Sequence, residues 1–261
     1  MVTFAQLALA FPIFAIVYWS LERLFPSVPG YKLKTRPGMI PDVVYFMIGP
    51  TIFQAMKIAS TIAVVFLWMK IDPTLTKDNL LTGRGPISNL PTSVEFVLGV
   101  LVFDFFVYCA HYFLHRGWLW KVHSVHHSSV QLDWLSSTRS HPFDDMFRGL
   151  FVVPLMIILG FNLGLVAIAF TGGGLLGILN HSNIRVTFGP LEHVIATPKF
   201  HRWHHTSEEL GLDKNFATVF TFWDRLFGTF YNPKEFPQEF GLFGEEIKEN
   251  IFSHLIHPFK N

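Results

Sequence analysis

Apolar residues in this chain run in blocks too long for the face of a soluble helix. A helix needs about 20 consecutive apolar residues to cross the hydrocarbon layer of a bilayer. Thr3–Phe25 is one such block, closed by Glu22, Arg23 and the break at Pro26 and Pro29-Gly30. Val43–Met69 is a second, with Lys57 its only full charge. Val94–Leu114 is a third, interrupted by Asp104 and closed by His115-Arg116. Leu150–Leu179 is too long for one span and short for two, and Gly160-Phe161-Asn162 predicts a hairpin that enters and returns. The pattern predicts an all-α fold, a multi-span membrane helical bundle with about four membrane-embedded segments.

After Arg185 the chain is more polar but still rich in Phe and Trp, which predicts a cap of short helices lying on the membrane surface. Three regions follow: spans and loops over 1–92, a core over 93–235 and a tail over 236–261. Basic residues near span ends mark the cytoplasmic side. Arg23, Lys32, Lys34 and Arg36 place the first loop there, Lys70–Pro91 outside, and Arg116 and Lys121 inside again. With the hairpin as read, His181 and everything after it are cytoplasmic too; any other path would split the histidines between the two sides. The first block has no basic residue before it and no small-residue cleavage site, so it reads as a retained span rather than a signal peptide.

Composition agrees with lipid as the solvent. Of 261 residues, 50% are hydrophobic and 15% charged, against about a quarter charged in soluble domains. The formal net charge of +1 gives nucleic acid nothing to bind, and Cys109, the single cysteine, excludes an intrachain disulfide.

The chemistry lies in the histidines. Of thirteen, nine form a pattern: His111 and His115 as H-x-x-x-H, His123, His126 and His127 as H-x-x-H-H, His181 alone at the hairpin exit, and His201, His204 and His205 as a second H-x-x-H-H. Helical residues three or four apart are neighbours, so each cluster can aim two or three imidazoles at one place. A lone histidine is usually a hydrogen-bonded structural residue, which is the reading for His193, His254 and His257. Repeated clusters beside lipid are different, because without a metal many ring nitrogens would need partners there. Imidazole suits zinc, copper and iron alike, so spacing does not choose the metal. The absence of H-E-x-x-H speaks against a zinc peptidase; paired E-x-x-H motifs of soluble di-iron bundles are absent too. Gly172, Gly174 and Gly177 fit G-x-G-x-x-G but lie in an apolar run, where Gly173-x-x-x-Gly177 reads as a face for close helix packing.

The segments His111-Tyr-Phe-Leu-His115-Arg116, His123-Ser-Val-His126-His127, Asn180-His181-Ser-Asn183, His201-Arg-Trp-His204-His205 and Asn215-Phe-Ala through Trp223-Asp224-Arg225-Leu226-Phe227-Gly228-Thr229 resemble the fatty acid hydroxylase / sterol desaturase superfamily of membrane di-iron oxygenases. The resemblance covers roughly Val94 to Tyr231; Ala217 departs from it where glycine is expected, which bears on the local turn. It makes the nine clustered histidines candidate metal ligands, and His141, in Arg139-Ser-His141-Pro142, a candidate tenth ligand or a group that orients one. Asp104, two helical turns before His111, and Asp224 are candidates for holding a ligand imidazole by hydrogen bond. Arg139 and Arg202 are candidate contacts for an acidic head group, although Arg202, flanked by ligands, reads as structural.

The resemblance implies two iron ions, O2 as co-substrate and a monooxygenase or desaturase attacking an unactivated C–H bond of a membrane lipid (sterol, fatty acyl or a related apolar molecule), as in lipid biosynthesis. It implies electrons from a separate carrier, a small haem protein or a ferredoxin with its reductase. The histidines do not separate hydroxylation from desaturation. The expected location is a multi-pass protein with its metal site facing the cytoplasm, in a bacterial inner membrane rather than the endoplasmic reticulum. Two other readings share the pattern. A membrane electron-transfer protein with bis-histidine haems needs ligands on facing helices at different depths, which the adjacent His126-His127 and His204-His205 disfavour. A non-catalytic metal-binding relative is disfavoured by the intact histidine set.

Overall fold

The computed structural model describes residues 3–32 and 35–260; Lys34, used above to orient the chain, and Asn261 lie outside the described residues. The fold is all-α, and among the described residues extended pairing is confined to isolated bridges, Pro26 with Ile184, Ile195 with Phe220 and Thr206 with Phe240. Among the described residues, four helical runs are long and apolar enough to cross a membrane: Phe4–Leu24, Met39–Ile71, Thr92–Leu114 and Leu163–His181.

Helix α1 (Phe4–Leu24) starts on a capping box, in which Thr3 accepts from the Gln6 amide and the Gln6 side chain accepts from the Thr3 amide. The second run is longer than hydropathy predicts. It comprises α2 (Met39–Ile48), a π-helical turn over Gly49–Phe53 and α3 (Gln54–Ile71). Pro50 has no amide to donate, and the wider turn absorbs that gap. The early start has an electrostatic cause: Asp42, in the first turn of α2, is buried against Arg36 at 2.7 Å and Arg139 at 2.7 Å. That turn therefore belongs to the polar cap.

Short α4 (Lys77–Thr82) precedes α5 (Thr92–Leu114), whose last turns carry the first histidines. Helix α6 (Gly117–His127) follows at once. The expected hairpin is α7 (Pro142–Leu159) and α8 (Leu163–His181). Gly160 makes its bend at φ 98°, its carbonyl accepts from the Arg84 amide at 2.9 Å, and Asn162 caps α8 while its amide donates to Glu95 at 2.9 Å. Glu95 lies in the first turn of α5, so the bend sits at the end of the bundle opposite the histidines. The hairpin thus goes out and comes back, and α5 and α8 deliver their histidines to the same end.

Helix α7 packs against α3 and α5 around Phe103, Val152, Met156, Ile157 and Phe161. Lys57, the lone charge of α3, threads past Gly149, where any Cβ would stand 2.4 Å from its Cγ, and reaches the Phe170 ring at 4.7 Å. The glycine face of α8 packs closely against no other helix among the described residues. A Cβ at Gly172, Gly174 or Gly177 would meet nothing within 4 Å, and at Gly173 only Phe103 at 3.9 Å. These glycines face open space instead of a neighbouring helix. The cap contributes α9 (Pro198–His204), α10 (Phe222–Phe227) and α11 (Ile251–Ile256).

Candidate metal centre

The two H-x-x-H-H motifs each divide between two sites. On α6 the residues four apart, His123 and His127, share a face, and His126 points elsewhere. On α9 the same spacing pairs His201 with His205 and sets His204 apart. One site gathers His111, His115, His123, His127 and His204; the other gathers His126, His181, His201 and His205. Within each, the candidate donor atoms all lie within 4.8 Å of one another. All nine sequence candidates are thereby brought together, but each motif serves both sites rather than one.

Six of the nine rings are held through Nδ1. His111 reaches the Phe216 carbonyl at 2.8 Å, His204 the Lys214 carbonyl at 2.7 Å and His115 the Asp213 carboxylate at 3.1 Å. His126 reaches the Arg139 carbonyl at 2.8 Å, His181 the Gly177 carbonyl at 2.7 Å and His123 the Asp144 carboxylate at 2.5 Å. A carbonyl or carboxylate only accepts, so each Nδ1 carries the hydrogen and each Nε2 presents a lone pair. Yet the Nε2 atoms face one another: His111 and His123 at 3.2 Å, and His126 and His181 at 3.1 Å. Lone pair opposes lone pair, with no hydrogen to share. Burial pushes His126 down to about 4 and His201 to about 3, so protonation does not relieve the conflict near neutral pH.

A cation between the rings relieves it. With metal–nitrogen bonds of about 2.0–2.1 Å, adjacent donors around one ion stand about 2.9–3.4 Å apart, from octahedral to tetrahedral geometry. The Nε2 separations, including 3.2 Å for His123–His127, 3.4 Å for His181–His201 and 3.1 Å for His201–His205, fall in that range. The Nε2 atoms of His115 and His204 are buried with no partner among the described residues. The donor set therefore fits two metal ions, one in each group. Convergence this tight leaves no gap for a flat macrocycle between opposed imidazoles, which removes the bis-histidine haem reading.

The other candidates sit near the centre without joining it. His141 caps α7, accepting from the Phe143 amide through Nδ1, with Nε2 against the Leu255 carbonyl at 3.2 Å. Asp104 bonds no imidazole; it accepts the amides of Val219 at 3.0 Å and Phe220 at 2.9 Å. Asp224 accepts the amides of Phe216 and Ala217 and the Thr229 hydroxyl, so it shapes the loop whose carbonyls hold His111 and His204. In that loop Asp213 and Asn215 take positive φ, and Ala217 does not. The turn therefore needs no glycine at 217. Arg202 is buried, donating to the Leu132 carbonyl at 2.7 Å, and Arg139 pairs with Asp42 and Glu249, so neither is a free head-group contact.

Asp144 and Asp213 escaped the sequence reading. Asp144 lies three residues after His141 and also pairs with Arg148 at 2.6 Å. Its only sequence signal is an acidic first turn behind His141-Pro142, which a helix cap explains equally well.

A fatty acid hydroxylase family profile matches residues 96–229, half of the chain. The chain belongs to the fatty acid hydroxylase family. It is 31% identical over 172 residues to an ornithine lipid hydroxylase, OlsE, of Rhizobium tropici, covering 65% of this chain and 51% of that protein. It is 32% identical over 229 residues to an alkylglycerol monooxygenase of Xenopus tropicalis, covering 85% of this chain and 48% of that one. A very-long-chain aldehyde decarbonylase of Oryza sativa subsp. indica, GL1-5, matches at 27% over 173 residues, 59% of this chain and 26% of it. The chain thus spans about half the length of the first two. No solved structure matches it.

Proposed function

We propose that this family member is an integral membrane di-iron oxygenase that hydroxylates or desaturates an unactivated C–H bond of a lipid, using O2 and electrons from a separate carrier. The observation that carries it is the opposition of buried Nε2 lone pairs in two groups of five and four histidines. Iron would supply the capacity to activate O2 for attack on a C–H bond that acid–base chemistry cannot reach. His111, His115, His123, His127 and His204 would hold one ion, and His126, His181, His201 and His205 the other.

The chain's own part is placement and shielding. Acceptors at Phe216, Lys214, Asp213, Arg139, Gly177 and Asp144 fix the tautomer and turn of six rings, which keeps donors aimed before a metal arrives. The site's position at the shared end of α5 and α8 supports a centre at one membrane face that takes its substrate from the bilayer; the basic residues around spans one and two favour the cytoplasmic face. Residues 93–235 would form the catalytic core, with 1–92 and 236–261 completing the bundle and cap. Lipid profiles of cells with and without the chain test the reading. Products heavier by one oxygen or lighter by two hydrogens are expected, and profiles that match in every lipid class contradict it.

A further inference from the structure

A cavity of ≈ 420 Å³ opens where α1 ends, lined by residues that include Glu22, Arg23, Tyr31 and Asn183. Glu22 has no part in the metal centre and is 2% exposed. Its Oε1 accepts the amides of Trp134 and Asn183, each at 2.9 Å, while Oε2 is buried with no partner among the described residues. The Tyr31 hydroxyl on the same cavity is buried beside the Arg202 guanidinium and the Leu132 backbone, with no well-formed hydrogen bond among the described residues. A buried acceptor is normally satisfied, so a carboxyl oxygen on a cavity wall that lacks a hydrogen bond, even with the Arg202 guanidinium nearby, leaves a place for a donor from outside the chain. Arg23, exposed among the lining residues, adds a positive charge at the rim. Asn183 lies two residues after His181, so its Cα is at most about 7.6 Å from that of the candidate ligand.

We propose that this cavity holds the polar head of the lipid substrate. Glu22 and Tyr31 receive a hydrogen-bond-donating group, a hydroxyl or a primary ammonium, and Arg23 faces an anionic group of the same head. The volume suits a small head group, and a few placed polar atoms in such a cavity are what fixes a ligand's orientation. The word substrate rests on the oxygenase reading; the binding does not.

The test uses the full chain in detergent micelles, with short-chain phospholipids bearing ethanolamine, glycerol or choline heads, read by native mass spectrometry and thermal shift. Choline carries a cation without any N–H or O–H. Wild type should hold the ethanolamine or glycerol lipid about tenfold more tightly than the choline lipid, and the tighter of the two names the donor. Glu22→Gln keeps the Oε1 acceptor but puts an amide NH2 in place of Oε2, so it should erase the preference for an ammonium head. Tyr31→Phe removes only the hydroxyl, which stands beside Arg202 and the Leu132 backbone, and should weaken both donor-bearing lipids with metal content unchanged. If Glu22→Gln disturbs folding, Tyr31→Phe alone decides. Equal binding of all three heads by wild type, or a preference untouched in both variants, overturns the proposal and leaves the cavity to water. A chain that shows the preference yet oxidises no lipid would instead refute the oxygenase reading.

Discussion

Replacing Asp144 with Asn tests whether a carboxylate outside the ligand set tunes the five-histidine site. Asp144 is buried, bonds His123 Nδ1 at 2.5 Å and binds Arg148 through its other oxygen at 2.6 Å. Asn preserves the shape and can still offer one oxygen to His123. It loses the charge that makes the imidazole a stronger donor to metal, and it weakens the Arg148 pair. Removing such an orienting partner typically costs 10–100-fold in metal affinity, about 1.4–2.7 kcal/mol. The loss should fall on the site containing His123 and spare the one containing His181. A chelator competition on purified protein, followed metal by metal, resolves the two sites as a weak and a strong phase. Asp145→Asn is the control, because Asp145 interacts with Lys57 rather than with a histidine. An Asp144→Asn protein whose two sites both release metal as wild type does would refute the reasoning.

Three further outcomes follow from the same geometry. Gly160→Ala places a Cβ 2.2 Å from the Arg84 carbonyl oxygen at φ 98°, so it should destabilise the hairpin by about 1–3 kcal/mol and lower the thermal midpoint. Gly177→Ala, with open space around it, should leave stability unchanged or raise it by up to about 1 kcal/mol; a large loss would restore the close helix packing expected from sequence. Burial holds His126 near 4 when folded, against about 6.5 unfolded, so the unfolded chain takes up the proton first as pH falls. Stability of the metal-free protein should therefore be full above about pH 6.5 and decline toward pH 4, and denaturant titrations at several pH values would show it.

Much of this fold is legible along the chain because lipid imposes simple demands. Apolar length marked the spans, and Gly160-Phe161-Asn162 marked the hairpin bend, since only a break there lets the chain return. What hydropathy missed was the early start of α2, because Asp42 looks like a boundary until Arg36 and Arg139 are beside it. The nine histidines announced themselves by repetition. Their division into two sites did not, because it depends on how α6 and α9 face each other. The groups that aim the rings were the least visible. Lys214 and Phe216 act through backbone carbonyls, which any residue possesses, and Asp104 sits at the right helical spacing from His111 yet spends both oxygens on amides of the 219–220 turn. The α8 glycines matched a packing motif that no helix among the described residues packs closely against.

Metal content measured on the purified chain, beside His204→Ala and His126→Ala, addresses the central claim most directly. Two iron ions per chain are expected in the wild type, one for each histidine group. His204→Ala should deplete only the five-histidine site and His126→Ala only the four-histidine site, each leaving about one tightly held iron. Zinc in place of iron, or full iron occupancy in both variants, would contradict the account.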